Sequence, residues 1–130
     1  MIVDSSALVA ILRREPERQR FSQALKDAAE PSISAATYFE VCIVIDSARD
    51  PIASRTLDDL IENFKIAIEP FTAEQAQIAR QAYRDYGKGS GHRAQLNFGD
   101  CFSYALARVK REPLLFKGDD FVHTDVRAAV

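Results

Sequence analysis

The sequence predicts an α/β domain, with a central parallel sheet of about four to five short strands and helices on both faces. Two observations carry that expectation. Short strand-like segments at 1–4, 32–34, 66–69 and 114–116 alternate with longer segments of helical periodicity. No repeat, low-complexity tract or linker interrupts the chain, so residues 1–130 are expected to form a single domain.

The elements follow in order. Residues 1–4 (MIVD) read as a buried strand, and Leu8, Ile11 and Leu12 give the following segment, 5–14, helical spacing. Pro16 suits the first turn of a second helix, 16–29, whose inward stripe is Phe21, Ala24, Leu25 and Ala28. Pro31 stops it, and Ser32-Ile33-Ser34 is a short strand. Helices are expected at 35–49 and at 53–65, the latter with Leu57, Leu60, Ile61 and Phe64 on one face. Ile66 to Glu69 reads as a strand. Thr72 with Gln75 makes a capping-box pattern that opens a helix to Tyr86. Residues 87–96 (GKGSGHRAQL) read as a flexible loop before a helix at 98–111. Leu114 to Phe116 is the last strong strand, 117–120 turns the chain, and 124–126 is expected as a brief edge strand.

Composition narrows the function classes. Hydrophobic residues make up 47% of the 130 and charged residues 28%, so a genuine core is expected. The net charge of −2 argues against a surface that attracts nucleic acid everywhere, while leaving room for a local basic patch. Cys42 and Cys101 fall in apolar helical runs without CxxC or zinc spacing, and are expected as buried reduced thiols. The N-terminus has an acid at its fourth residue and no basic lead, unlike a signal peptide. No apolar run reaches the roughly 18 residues that span a bilayer. A soluble, cytoplasmic protein without a membrane partner is expected.

The informative residues are acids. Asp4 closes a strand and precedes a helix, where it can also serve as an N-cap. Glu40 lies mid-helix, with Ala36, Thr37, Ile43 and Val44 as helical neighbours and no basic residue in reach. A carboxylate on such a face needs a partner, a proton or a metal. Asp100 occupies the first turn of the 98–111 helix, where the helix dipole favours it. Asp119 and Asp120 follow the last strong strand in a Gly-Asp turn. In open parallel sheets sites form at the carboxyl ends of strands, which is where Asp4 and the 119–120 pair fall. Clustered carboxylates repel each other, and a bound divalent cation reverses that repulsion.

MIVDSSALVAIL, the helix with Ala-Thr-Tyr-Phe-Glu-Val, Leu-Asn-Phe-Gly-Asp-Cys-Phe-Ser-Tyr-Ala-Leu-Ala, and Pro-Leu-Leu-Phe-Lys-Gly-Asp-Asp-Phe occur in this order along the chain. Together they resemble the PIN-domain ribonucleases, and among them the VapC-type toxins of bacterial toxin–antitoxin systems. The resemblance implies a PIN-like fold and endonucleolytic cleavage of RNA dependent on Mg2+ or Mn2+. It makes Asp4, Glu40 and Asp100 the first three acids of the site. Asp4 and Asp100 are then direct metal ligands, and Glu40 acts through a water. The fourth acid is Asp119 or Asp120; Asp119, nearer the strand end, is preferred. The resemblance also implies a homodimer and a VapB-like antitoxin.

Lys88 and Arg93 in the glycine-rich loop, and Lys117 after the last strand, are candidates for RNA phosphate contacts. Tyr83, Tyr86, Phe98 and Tyr104 read as core or dimer contacts. Alternatives are a phosphoacceptor receiver and a haloacid-dehalogenase-type phosphatase. A receiver needs an acid at the end of its middle strand, where this chain reads Ile66-Ala67-Ile68-Glu69-Pro70, and a second acid after the first-strand acid, which is absent; Ser6 stands where the phosphatase needs an Asp. A non-toxin PIN-fold nuclease, or a nucleic-acid-binding partner of a DNA-binding antitoxin, is the remaining alternative.

Overall fold

A computed structural model describes residues 1–130. The chain runs β1 (Ile2–Val3), α1 (Ser5–Leu12), α2 (Arg18–Asp27), β2 (Ser32–Ser34), α3 (Ala35–Asp46), α4 (Pro51–Asn63), β3 (Ala67–Glu69), α5 (Ala73–Tyr86), α6 (Phe98–Lys110) and β4 (Leu114–Leu115). The four strands form one parallel sheet in the order β3-β2-β1-β4.

Register follows from β1. Ile2 pairs with Ser32 on one side and Leu114 on the other, and Val3 pairs with Leu115. Successive residues of a strand face opposite ways, and the two central strands divide accordingly. Val3 and Leu115 join a core with Leu8, Ile11, Phe21, Leu25, Val41, Leu57 and Leu60, from α1 to α4. Ile2 and Leu114 join a second core with Ala79 and Ala82 of α5 and Tyr104 to Ala107 of α6. Both faces are therefore covered by helices, as expected of a parallel sheet.

Several boundaries differ from the sequence reading. Pro16 lies in a turn before α2, which starts at Arg18. α3 stops at Asp46, and α4 starts at Pro51, where the Asp50 side chain accepts from Ile52 N at 3.0 Å. Phe116 lies outside β4 and its ring packs 5.1 Å from that of Phe121. Residues 124–126 make no strand, because their polar groups are used locally. Thr124 Oγ1 donates to Phe121 O at 2.8 Å and accepts from Val126 N at 3.3 Å. The pairing shifts to Ala128, which bridges Leu114.

The 87–96 segment is tied down at both ends. Lys88 N donates to Leu96 O at 3.0 Å and Leu96 N donates to Tyr86 O at 2.8 Å. Tyr83 Oη donates to Lys88 O at 3.1 Å, His92 packs edge-on against Tyr86, and Ala94 and Leu96 are buried. This fixes the chain just ahead of α6, and so fixes where that helix begins.

Phe21 is fully buried in the larger core. Phe21→Ala is expected to cost about 3–5 kcal/mol in urea denaturation, from lost burial plus a cavity. Ile52→Ala, at a residue 78% exposed, is expected to stay within about 0.5 kcal/mol.

Candidate metal centre

Asp4 leaves β1 at the point where the strand order turns back on itself, between β1 and β4. Its backbone N donates to Leu115 O at 2.9 Å, which ties it to the end of β4. The residue is only 3% exposed. Its Oδ2 accepts from Ser6 N at 3.0 Å and Ser6 Oγ at 2.6 Å, so it does cap α1. Its Oδ1 accepts from Ser103 Oγ at 2.6 Å. Capping therefore engages one oxygen only, and the other is held from α6.

Asp100 sits in the first turn of α6 within a reciprocal capping box. Asn97 Oδ1 accepts from Asp100 N and Asp100 Oδ2 accepts from Asn97 N, both at 2.9 Å. Burial pushes its carboxyl up to about 7; the Asn97 N–H opposes this, and the charges of Asp4, Asp120 and Glu40 add to it. The three electrostatic neighbours come from β1, the turn after β4, and α3. Acids separated by up to 116 residues thus lie within electrostatic range of one buried carboxyl.

Glu40 approaches that carboxyl from α3. Its carboxylate lies against the backbone of Gly99; a Cβ on that residue would clash with Glu40 Oε2 and lie 3.1 Å from Cδ. Glycine here is what lets the two helices bring Glu40 next to Asp100. The position also answers the question raised by the apolar helix face around Glu40. The side chain is half-buried rather than enclosed, and it meets the positive end of α6.

Gly118, at φ +97°, turns the chain after β4 and delivers Asp119 and Asp120, both exposed. Of the two, Asp120 acts more strongly on Asp100.

The basic candidates separate. Lys117 Nζ pairs with Glu15 and, at 3.3 Å, with Glu17, so its charge is already engaged beside α1 and α2. Those partners raise the Lys117 amine, the Glu15 hydrogen bond most. Lys88 and Arg93 are exposed on the segment leading into α6. Tyr104 is buried and donates to Asp125 at 2.7 Å, whereas Phe98 is 78% exposed and Tyr83 nearly half exposed, so neither is a core residue. Cys101 is buried and Cys42 only half-buried; both are free thiols. Burial, with the Asp100 charge, pushes the Cys101 thiol up to about 11, so it remains a protonated packing residue.

Sequence reasoning passed over the hydroxyls and the glycine of the site: Ser6, Thr37, Gly99 and Ser103. A usable signal existed. Thr37 lies one helical turn before Glu40, and Ser103 one turn after Asp100 on an otherwise apolar buried face.

The donor set is all oxygen, which suits Mg2+ or Mn2+ better than a soft or imidazole-seeking metal. No three His, Cys, Asp or Glu side chains stand close enough to close a coordination shell on their own. Mg2+ normally keeps several waters alongside one or two carboxylates, so an open cluster fits that ion. A carboxyl pushed up first by burial and then by three like charges is the feature that a cation there would relieve.

A family model described as PIN domain matches residues 1–127. The chain belongs to the PIN-domain family. Within the family it is 56% identical over 130 residues to ribonuclease VapC28 of Mycobacterium tuberculosis, covering 100% of this chain and 98% of that protein. Two solved structures share the fold. VapC20 of Mycobacterium tuberculosis, described as a Sarcin-Ricin loop cleaving toxin, superposes with a TM-score of 0.70 at 17% identity, covering 97% of this chain and 98% of that one. A chain of a toxin–antitoxin complex from Klebsiella pneumoniae gives 0.71 at 17% identity, over 95% and 92%.

The raised Asp100 carboxyl predicts a pH dependence of stability in the metal-free protein. The unfolded chain releases this proton near pH 3.8 and the folded chain near 7. The folded state therefore binds more protons across that window, and stability falls as pH rises through it. Asp100→Asn is expected to remove that loss and raise the metal-free Tm by a few degrees at pH 7.5. Calorimetry at pH 5 and pH 7.5 checks it: the variant's advantage should be present at 7.5 and shrink at 5.

Proposed function

We propose that this protein is a metal-dependent endoribonuclease, acting in the cytoplasm as the toxin of a toxin–antitoxin pair. The observation that carries the metal reading is the convergence of Asp4, Glu40 and Asp120 on a largely buried Asp100. What carries the ribonuclease reading is the full-length match to a VapC ribonuclease at 56% identity.

Asp4 and Asp100 are assigned as direct ligands of Mg2+ or Mn2+. Both are buried, and each carboxylate accepts from a fixed donor, Ser103 Oγ on Asp4 and Asn97 N on Asp100. Glu40, half-buried against Gly99, is assigned to orient water at the mouth of the cluster. The cation supplies Lewis-acid activation of water and offsets charge at the phosphate. Asp4 and Asp100, rigidly seated, would hold that cation in place, and Glu40 is placed to take a proton from the attacking water. The fourth acid is assigned to Asp120, in place of the Asp119 preferred on the sequence, because Asp120 acts more strongly on Asp100. Lys88 and Arg93 are assigned to flanking RNA phosphates. Lys117 is not assigned to RNA, since Glu15 and Glu17 hold its ammonium.

A VapB-like antitoxin is the proposed protein partner. The fold match to a chain of a toxin–antitoxin complex supports that reading. A homodimer is supported by exposed apolar side chains next to the acids: Phe39 and Ile43 on α3 and Phe98 on α6.

Purified protein is expected to cleave RNA with Mg2+ or Mn2+ and to stop in excess EDTA; cleavage that persists in chelator refutes the mechanism. Asp4→Ala and Asp100→Ala should each lose at least about 2 kcal/mol of transition-state stabilisation, as for loss of one key electrostatic group. A folded variant with full activity would remove that residue from the site. Asp120→Asn is expected to weaken Mn2+ binding and Asp119→Asn to leave it nearly unchanged; the reverse result, read by isothermal titration, restores Asp119.

A further inference from the structure

Two buried polar side chains lie behind the acids. Ser103 is fully buried and Thr37 is 1% exposed. Ser103 Oγ is 2.6 Å from Asp4 Oδ1, and Thr37 Oγ1 is 3.3 Å from Ser103 Oγ. We propose that Thr37 and Ser103 form a directional hydroxyl relay that positions Asp4, leaving one oxygen of its carboxylate open toward the metal. The inference rests on the metal-binding reading given above.

The direction follows from the donor inventory. A carboxylate only accepts, so the single Ser103 proton is committed to Asp4 Oδ1. The Ser103 oxygen is then free to accept, and Thr37 supplies the proton. The relay runs Thr37 to Ser103 to Asp4, with no step reversed.

Counting lone pairs identifies the open atom. Each carboxylate oxygen offers about two acceptor directions. On Oδ2 both are used, by Ser6 N at 3.0 Å and Ser6 Oγ at 2.6 Å. On Oδ1 the Ser103 hydroxyl uses one, and the other remains. Asp4 therefore presents Oδ1 as its single ligating oxygen. Without Ser103 the carboxylate is held through Oδ2 alone, and the open direction of Oδ1 is less firmly fixed.

The relay also sets the spacing of the elements that carry the acids. Thr37 lies one turn before Glu40 on α3, and Ser103 one turn after Asp100 on α6. Residues three apart on a helix share a face, so each hydroxyl is rooted beside the acid on its own helix. A matching link runs through Ser6 Oγ, which accepts from Lys117 N at 3.0 Å and ties the turn bearing Asp120 to the other oxygen of Asp4. Thr37 and Ser103 are positioning residues: they touch neither metal nor substrate. Partners that orient a ligand from behind typically change metal affinity by about 10- to 100-fold.

The test is Mn2+ titration by calorimetry on wild type, Ser103→Ala, Thr37→Val, Thr37→Ser and Ser32→Ala, each confirmed folded by circular dichroism. Ser32 is a control because its hydroxyl is equally buried but has no hydrogen-bond partner. Ser103→Ala is expected to weaken Mn2+ binding by about tenfold. Thr37→Val should weaken it by a smaller factor, Thr37→Ser should restore wild-type affinity, and Ser32→Ala should leave it unchanged. The Thr37→Val, Ser103→Ala double variant should bind no more weakly than Ser103→Ala alone, since Thr37 acts only through Ser103. If Ser103→Ala does not fold, Thr37→Val against Thr37→Ser decides the matter. Wild-type affinity in Ser103→Ala or in Thr37→Val, or equal weakening by Ser32→Ala, overturns the relay while leaving the metal site intact. A wild-type protein that binds no Mn2+ overturns the metal site, and the relay with it.

Discussion

Everything in this molecule that concerns its chemistry depends on one interaction: the grip on the Asp4 carboxylate where β1 ends. Asp4 is almost fully buried, yet each of its oxygens meets a hydroxyl, Ser103 on one and Ser6 on the other. Its backbone N–H continues the sheet by donating to Leu115 O. The same residue thus ends a strand, caps α1 and holds α6 against the sheet. The other acids are placed by reference to it. Asp100 lies one turn before Ser103, and Glu40 lies one turn after Thr37.

The arrangement costs stability in the metal-free protein. Burial and like charges push the Asp100 carboxyl up to about 7. A fold selected only for stability would place a neutral residue there. Asn could keep the bond to Asn97 N without the repulsion. Sites that hold a cation store strain of this kind and release it when the ion binds. The backbone serves the same end. Gly99 gives up a side chain so that Glu40 can approach α6, and Gly118, at positive φ, turns the chain just before Asp119 and Asp120.

The sequence made much of this legible, and the reasons differ by residue. The strands at Ile2 and Leu114 stand out because short apolar runs bounded by helical segments have few other uses in a chain of this size, and the one at Ile33 because Pro31 stops the preceding helix. Asp4 and Asp100 are visible because they stand at strand and helix ends, where polarity changes abruptly. Glu40 is visible for the opposite reason, as a charge in an apolar helix with no partner nearby. What stayed hidden depends on tertiary distance. Local rules treat Thr37 and Ser103 as ordinary small polar residues, and only the meeting of α3 with α6 joins them. The choice between Asp119 and Asp120 likewise turns on the direction in which Gly118 sends the chain. The expected strand at 124–126 failed because Thr124 binds its own neighbours first. Lys117 looked free in sequence because Glu15 and Glu17, its partners, lie about 100 residues away.

The central claim is that acids scattered from Asp4 to Asp120 form a single metal centre. A crystal grown with Mn2+ and measured for anomalous scattering tests it most directly. The account predicts one dominant peak within ligating distance of Asp4 Oδ1 and an Asp100 carboxylate oxygen, with Glu40 and Asp120 around it. A peak held by other residues, or none at saturating Mn2+, would contradict it.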